Sequence, residues 1–188
     1  MKDKMLKSVY RYDALDDSYH VVIDLDTYRD VYSEWDYSPV TNRDLDEDLI
    51  EYLLDCSIEL ALKRKMVVDF YIPSEIVDYK RERKSINGFR HYFAYQIRRI
   101  KSDRLQMLKN STILLAIGIL FLTIAILSEG KIDNHLLSKL VTEGLFIGAW
   151  VALWEIFSTL FFDVKKLSDK INHYHRLMKI DINYKVKN

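Results

Sequence analysis

One ionisable side chain, Glu155, lies within an otherwise apolar stretch of nineteen residues, 144–162. A carboxylate in such a stretch is costly in lipid unless it is protonated, paired or hydrated. Small and polar residues recur on the same predicted helix face, and small residues let helices pack closely. The residues of this face are Gly144, Gly148, Ala152, Glu155, Ser158 and Thr159. They predict helix packing or a polar constriction in a pore. Glu155 also fits a structural role, hydrogen-bonded to Thr123 across a hairpin or to Ser158.

A second group of candidate residues is basic and precedes another apolar stretch. Arg98, Arg99, Lys101 and Arg104 come shortly before residues 112–127, which contain no charge and no proline. Basic residues beside a membrane span commonly set its topology and contact anionic headgroups. They could equally form an anion site for a phosphorylated ligand. The sequence leaves both interpretations open.

The remaining reactive side chains occur in patterns that are typical of structure. Asp24 and Asp26 share a strand face and could bind a cation, but such residues more often face solvent. His173 and His175 are two residues apart on a predicted helix and point to different sides. Cys56, the single cysteine, lies on an apolar helix stripe and can form no intrachain disulfide. Because no catalytic or phosphate-loop motif is present, we expect no enzyme, no metal and no cofactor.

Both apolar stretches have the composition of membrane helices. A helix needs about 17–25 residues to span a bilayer core of about 30 Å. Residues 144–162 are long enough, whereas 112–127 are slightly short unless Ser111 and Ser128 also lie in the membrane. A chain of 188 residues has little other surface with which to bury two helices that are apolar on all sides. We therefore expect a transmembrane hairpin over residues 111–162, with a short outer turn at 128–143.

The distribution of charge predicts the orientation of this hairpin. Residues 1–60 contain 6 basic and 16 acidic residues, whereas 61–110 contain 13 and 5. Basic residues precede the first arm and follow the second arm, but the predicted turn between the arms contains only Lys131 and Lys139 as basic residues. The positive-inside rule then places both termini in the cytoplasm. The acidic first segment argues against DNA binding. The first residues are not followed by an apolar run, so we expect no signal peptide.

Alternating apolar residues predict three strands, at 19–26, 66–72 and 180–186. Between the first two strands, an acidic amphipathic helix is expected to begin with Thr41 or Asn42 as its cap. This order predicts a crossover between parallel neighbours. A further helix with a stripe of Phe89, Phe93 and Ile97 leads to the first apolar stretch.

Together these elements predict a membrane protein of the α+β class. A two-helix transmembrane hairpin is expected to be inserted in a small cytoplasmic α/β domain. That domain would comprise residues 1–110 and 163–188, and its sheet would include strands from both parts.

Several of these segments carry a resemblance to known proteins. The helix sequence Arg43-Asp-Leu-Asp-Glu-Asp-Leu-Ile, the strand at 67–73 and the sequence Glu143-Gly-Leu-Phe-Ile-Gly-Ala-Trp-Val-Ala-Leu-Trp-Glu155 resemble a family of small bacterial two-helix membrane proteins without an assigned activity. The layout also resembles the two-helix effectors of anti-phage systems controlled by cyclic nucleotides. That resemblance implies a membrane part that breaches the bacterial inner membrane and a cytoplasmic domain that binds a cyclic nucleotide, which would either open the effector or hold it closed. The small and polar face of the second arm predicts a homo-oligomer in the lipid bilayer.

Two functions follow as hypotheses. The first is a non-enzymatic inner-membrane effector, whose cytoplasmic domain senses a ligand and controls membrane permeabilisation in anti-phage defence. The alternative is a membrane-anchored scaffold or regulatory protein that binds a basic cytoplasmic partner through its acidic N-terminal region. Asp46, Asp48 and Glu51 are the candidate contacts for that partner.

Overall fold

Helices and strands account for most of residues 2–128 and 135–187, the part of the chain that the computed structural model describes. The strands are β1 (Arg11–Asp13), β2 (Ser18–Asp24), β3 (Lys65–Ile72) and β4 (Asp181–Val186). The helices are α1 (Lys2–Val9), α2 (Glu47–Glu59), α3 (Tyr79–Ser128), α4 (His135–Ser158) and α5 (Val164–Lys179). Short 3-10 turns occur at Tyr28–Val31 and Ser74–Ile76, and a π-helical turn, Thr159–Asp163, lies between α4 and α5.

The chain divides into two compact units. The α/β unit comprises Met1–Arg99 and Lys170–Asn188, and the hairpin unit comprises Ile100–Asp169. The α/β unit therefore takes chain from both sides of the hairpin unit.

The α/β unit contains one mixed sheet with the strand order β1-β2-β3-β4. Strand β1 is antiparallel to β2, whereas β2, β3 and β4 run parallel to one another. The three predicted strands are confirmed, and so is the parallel pairing of the first two. Strand β1 and helix α1 were not predicted from the sequence.

The two faces of the sheet differ sharply in composition. One face is apolar and buried, and it includes Tyr19, Val21, Val68, Phe70 and Ile182. The opposite face, called here the open face, carries Ser18, His20, Val22, Asp69, Asn183 and Lys185, which the register places side by side. Val22 is 47% exposed on this face, and Asn183 is exposed as well. Helices therefore pack on one face of the sheet, and polar side chains cover the other.

Helix α2 begins later than the sequence predicts. Thr41 and Asn42 are not its cap. Asp46 is, and its carboxylate accepts a hydrogen bond from the Leu49 amide at 3.0 Å. The preceding residues are held in extended pairing, because Leu45 forms a β-bridge with Tyr32. Tertiary pairing thus overrides a good local capping pattern.

Helices α3 and α5 pack on each other in the α/β unit. Phe89, Phe93 and Ile97 of α3 are buried, as their spacing predicts. The ring of Phe93 contacts that of Tyr174 edge-on, with 5.2 Å between centroids. Leu177, one turn further along α5, is fully buried.

The hairpin unit consists of the second part of α3, helix α4 and the start of α5. An added Cβ on Gly118 would lie 3.4 Å from that of Ala152, and one on Gly148 would lie 3.0 Å from the Phe121 ring. Small residues therefore let the two arms approach closely. Helix α4 starts at His135, nine residues before the predicted second arm. Residues 129–134 of the predicted outer turn, including Lys131, lie outside the described residues.

Two helices in the described part of the chain are long and apolar enough to cross a membrane. The mean hydropathy of their most apolar windows is 2.5 and 1.8, and only 17% of each window is buried. A core helix of a soluble protein would be mostly covered by other parts of its own chain. These helices instead leave large apolar side chains exposed, among them Ile119, Leu127, Ile147, Trp150 and Trp154.

Candidate functional site

A shallow basic depression, called here the basic cavity, lies on the surface between α3 and α5 in the α/β unit. Its volume is about 610 Å³, it is open to solvent, and its polar side chains are exposed. The lining residues are Asn87, Arg90, His91, Ala94, Met178 and Lys179. Each polar side chain in this set can donate a hydrogen bond, and none of the described residues that line the cavity is a carboxylate. This composition fits an anionic ligand, with the Arg90 guanidinium suited to bidentate contact with a phosphate.

The spacing of the α3 residues explains why they share this cavity. Asn87 lies three and four residues before Arg90 and His91, and Ala94 lies four and three residues after them, so all four occupy one face of the helix. Lys179 joins them only because α5 packs on α3. This site was not predicted from the sequence, because Lys179 is distant from Arg90 in the chain and no local pattern links them.

Arg176 fixes α5 against the end of α2. Its Nη1 donates to the carbonyl oxygens of Ser57 and Ala61, both at 2.9 Å, and its Nη2 donates to that of Arg64 at 2.6 Å. Carbonyls at a helix C-terminus lack helical partners and carry partial negative charge, so a guanidinium is well placed there. Burial lowers the pKa of Arg176 from its ordinary value. His173 adds a contact of 2.9 Å between its Nδ1 and the Ser57 hydroxyl.

The open face of the sheet contains a second polar cluster, centred on Asp69. This residue is fully buried, and its carboxylate accepts hydrogen bonds from Lys185 Nζ at 2.5 Å, His20 Nδ1 at 2.8 Å and Asn183 Nδ2 at 2.9 Å. Burial opposes ionisation of Asp69, but the bonds from Lys185, Asn183 and His20 outweigh it and lower the pKa of the carboxyl. The cluster thus joins three strands through one buried negative charge.

Asp69, His20 and Ser18 are arranged in the order of a catalytic triad. His20 Nε2 lies 3.0 Å from the Ser18 hydroxyl, and its Nδ1 faces Asp69. Ser18 is, however, fully buried, and its hydroxyl donates to the Asp16 carboxylate. A nucleophile has to reach a substrate and lose its proton to the histidine. Ser18 meets neither condition, and the absence of enzyme activity stays a prediction.

Two groups of carboxylates on the sheet could be taken for metal sites. Asp13, Asp16 and His20 bring their ligand atoms within 4.8 Å of one another. Asp16 is nevertheless paired with Lys65 Nζ at 2.7 Å, and both ring nitrogens of His20 are engaged. Asp24 and Asp26 are bridged by Lys187 Nζ, at 2.7 and 3.2 Å. In each group a lysine ammonium therefore already pairs with a carboxylate that a metal ion would need.

Cys56 lies in the core, as its place on the apolar stripe indicates. It is 3% exposed, and burial raises the pKa of its thiol. A protonated, buried thiol is a packing group rather than a nucleophile.

The four predicted anion-binding residues of α3 do not line the cavities described here. Arg98, Arg99 and Lys101 are exposed, and Arg104 is half-buried. The first two belong to the α/β unit, and the other two to the hairpin unit. Their role in binding headgroups or a ligand stays a prediction.

The predicted small and polar face of α4 is divided between two directions. Gly148 and Ala152 lie against the first arm, whereas the Cβ position of Gly144 has no neighbour within 4 Å. Glu155 is exposed, and Ser158 and Thr159 are half-buried. Within the described residues Glu155 has no hydrogen bond or ion pair.

Thr123 is not the partner of Glu155 that the sequence analysis considered. Its hydroxyl donates to the Ile119 carbonyl of its own helix at 2.8 Å. The role of the α4 face in packing between copies or in a pore stays a prediction.

Comparisons with protein-family models, curated proteins and solved structures found no match for this chain. Its own residues and their geometry are therefore the basis for assigning a function.

Proposed function

We propose that this protein is a non-enzymatic effector of the bacterial inner membrane. An anionic ligand in the basic cavity between α3 and α5 would control how the hairpins of several copies pack and whether they permeabilise the bilayer. The cavity itself is the observation that carries this proposal. It is basic, it is accessible from solvent, and its walls come from the two helices that lead to and from residues 100–169.

The exposed apolar helices support the membrane location. Exposure of this apolar surface to water would be unfavourable, and large contiguous apolar patches mark sites of membrane or protein contact. Cations outside both arms favour an orientation with both termini in the cytoplasm, where the ligand would be met.

The sheet supports coupling between ligand and hairpin. Asp69 precedes the hairpin unit in the chain, whereas Asn183 and Lys185 follow it, and all three are joined by hydrogen bonds. We propose that the hairpin is inserted in this domain, so that both of its ends depend on one fold. A ligand that bridges Arg90 and Lys179 would favour one packing of α3 against α5, and ligands act through such differential affinity.

The chemistry of the cavity favours a ligand with phosphate groups. Arg90 and Lys179 provide two cations, and Asn87 provides an amide for a base or sugar. A cyclic nucleotide of the bacterial cytoplasm meets these requirements, and control of anti-phage defence is the corresponding biological role.

Glu155 is the residue that we expect to act in membrane permeabilisation. An exposed carboxyl on a lipid-facing surface is unfavourable, so contact with another copy or with water would stabilise it. We propose that Glu155 faces the interface or lumen of a homo-oligomer of hairpins.

A dye assay of membrane potential in bacteria tests the proposal. Wild type, Glu155→Gln and the double variant Arg90→Gln/Lys179→Gln would be expressed at matched levels, with Arg83→Gln as an exposed basic control. We expect wild type to depolarise the membrane and Glu155→Gln to lose most of this effect. The double variant should alter the onset of depolarisation, and the control should match wild type. Equal behaviour of all four proteins would contradict the effector function.

Calorimetry on the purified full chain separates the sources of an anion. A cyclic dinucleotide should bind the wild type at least tenfold more tightly than the double variant. Inorganic phosphate should bind weakly, and vesicles of phosphatidylglycerol should not compete. Competition by the vesicles would instead assign the cavity to lipid headgroups.

A scaffold that binds a basic partner is the second candidate. On α2, the exposed acids Glu47, Asp48 and Glu51 adjoin the exposed side chain of Tyr52. Asp46 is unsuited to this role because its carboxylate caps the helix. Charge reversal of Asp48 and Glu51 should abolish a pull-down if this surface is the contact, with depolarisation unchanged.

A further inference from the structure

Two large aromatic side chains project from the loop between the turn Tyr28–Val31 and α2. Trp35 is 95% exposed and Tyr37 is 97% exposed. Side chains that are exposed to this degree contribute little hydrophobic free energy to folding. Trp and Tyr are also the residues most enriched at the energetic centres of protein interfaces.

A cavity of about 610 Å³ lies beside these rings and is lined by Tyr37. Its lining includes four carboxylates and two guanidinium groups, so its balance is acidic. The carboxylates are those of Asp30, Glu34, Asp36 and Asp46. A neighbouring cavity of about 400 Å³ shares Asp36 and adds Asp44. The two together form an acidic groove, defined by these residues and the two aromatic rings.

Hydrogen bonds hold the acidic groove in shape. Asp36 accepts from the amides of Ser38 and Asp44, at 2.8 and 2.7 Å. Bonds from Ser38 and Asp44 lower the pKa of Asp36, so this carboxyl stays ionised at neutral pH. Gly88 of α3 lets the loop approach, since a Cβ there would lie 2.6 Å from the Val40 carbonyl oxygen.

The groove already accommodates one guanidinium group. Arg43 lies over the Tyr32 ring at 5.9 Å, and its Nε donates to the Ser38 carbonyl at 3.0 Å. Arginine over an aromatic face combines cation–π attraction with a planar set of donors. The free rings of Trp35 and Tyr37 offer the same kind of surface next to the exposed carboxylate of Glu34.

Charge distinguishes a protein partner from a membrane surface. Tryptophan and tyrosine also lie at bilayer interfaces, but the bacterial inner leaflet carries anionic lipids. The groove is lined by five carboxylates and by the guanidinium groups of Arg29 and Arg43, so its net charge is negative and such a surface would repel it. A cationic peptide segment gains from both the rings and the carboxylates.

We infer that the acidic groove binds an arginine- or lysine-bearing segment of a partner protein, with Trp35, Tyr37 and Glu34 as the contacts. This inference does not rest on the effector function, although His91 lines both the smaller cavity of the groove and the basic cavity.

Tryptophan fluorescence of the full chain in detergent tests the inference. The sequence has three tryptophans, so a Trp150→Phe/Trp154→Phe background leaves Trp35 as the reporter. A hexa-arginine peptide is the probe at physiological salt. We expect its binding to change the Trp35 emission, and Tyr37→Ala and Glu34→Lys each to weaken it at least tenfold. Asp36 and Asp46 are left unchanged because they hold the loop and α2.

Matched controls separate this groove from general charge attraction. Asp103→Lys reverses one exposed acid on α3, and Tyr79→Ala removes a ring that is 78% exposed elsewhere. Both should retain wild-type affinity. The inference is overturned if Tyr37→Ala and Glu34→Lys bind as wild type does, or if Asp103→Lys weakens binding as much. A stronger response of Trp35 to phosphatidylglycerol vesicles than to the peptide would also overturn it.

Discussion

At the scale of single residues, the buried carboxylate of Asp69 has the largest predicted effect on stability. Its three donors lie on β2 and β4, so one side chain links the middle of the sheet to both neighbours. A buried charge is tolerated only when it is paired and hydrogen-bonded, and removal of one member leaves the others unsatisfied. The sequence predicted the strand that contains Asp69. It could not predict these partners, because β2 and β4 are distant in sequence.

We therefore expect Asp69→Asn to lower the free energy of unfolding by about 3 kcal/mol. The amide would present N–H groups toward donors and leave Lys185 without its counter-charge. Thermal unfolding of the full chain in detergent measures the change. Asp24→Asn is the matched control, because Asp24 is exposed and surface pairs contribute at most about 1 kcal/mol. A loss of similar size in both variants would contradict the role of Asp69.

The same residue gives a pH dependence with a defined sign. The pKa of Asp69 is lowered in the folded state, so its stabilisation is present above the unfolded pKa of about 3.9 and is lost as pH falls below it. The difference in unfolding free energy between wild type and Asp69→Asn should thus be constant near neutrality and shrink in acid. A difference that persists unchanged at a pH of about 2 would contradict this assignment.

At the scale of elements, helices were easier to locate than to delimit. The stripe of Phe89, Phe93 and Ile97 was confirmed because burial follows helical spacing. The start of α2 was placed too early, because the bridge between Leu45 and Tyr32 depends on contacts that no local pattern reveals. The basic cavity was missed for the same reason, since Lys179 lines the same cavity as Arg90 only because α5 packs on α3.

Glycines on α4 provide a test of how the two arms pack. Gly148→Leu would place carbon atoms against Phe121, whose ring is 3.0 Å from an added Cβ, so the arms would have to separate or repack. We expect a cost of about 1–3 kcal/mol, measured as a lower thermal midpoint in detergent. Gly144→Leu is the control on the same helix, because nothing lies within 4 Å of its Cβ position. Equal midpoints for the two variants would contradict the packing of the arms through Gly148.

At the scale of the whole molecule, charge and hydropathy carry most of the available information. The apolar stretches, the three strands and the α+β class were all predicted from the sequence. The structure adds that β4 pairs in parallel with β3. The contribution of both chain ends to the α/β unit was expected from the sequence. Function was less accessible, because the open face, the basic cavity and the acidic groove all depend on contacts between distant segments.

Cysteine labelling in spheroplasts tests the proposed topology. With both termini in the cytoplasm, Lys139→Cys should react with a membrane-impermeant maleimide in intact spheroplasts, since its side chain is 65% exposed near the start of α4. Leu15→Cys, in the α/β unit and 97% exposed, should react only after lysis, and so should Lys166→Cys on the other flank. The native Cys56 is buried and provides an unreactive background. The opposite pattern would show an inverted hairpin. Protection of all three sites before lysis would show that the helices do not cross the membrane. That result would also contradict the proposed effector function.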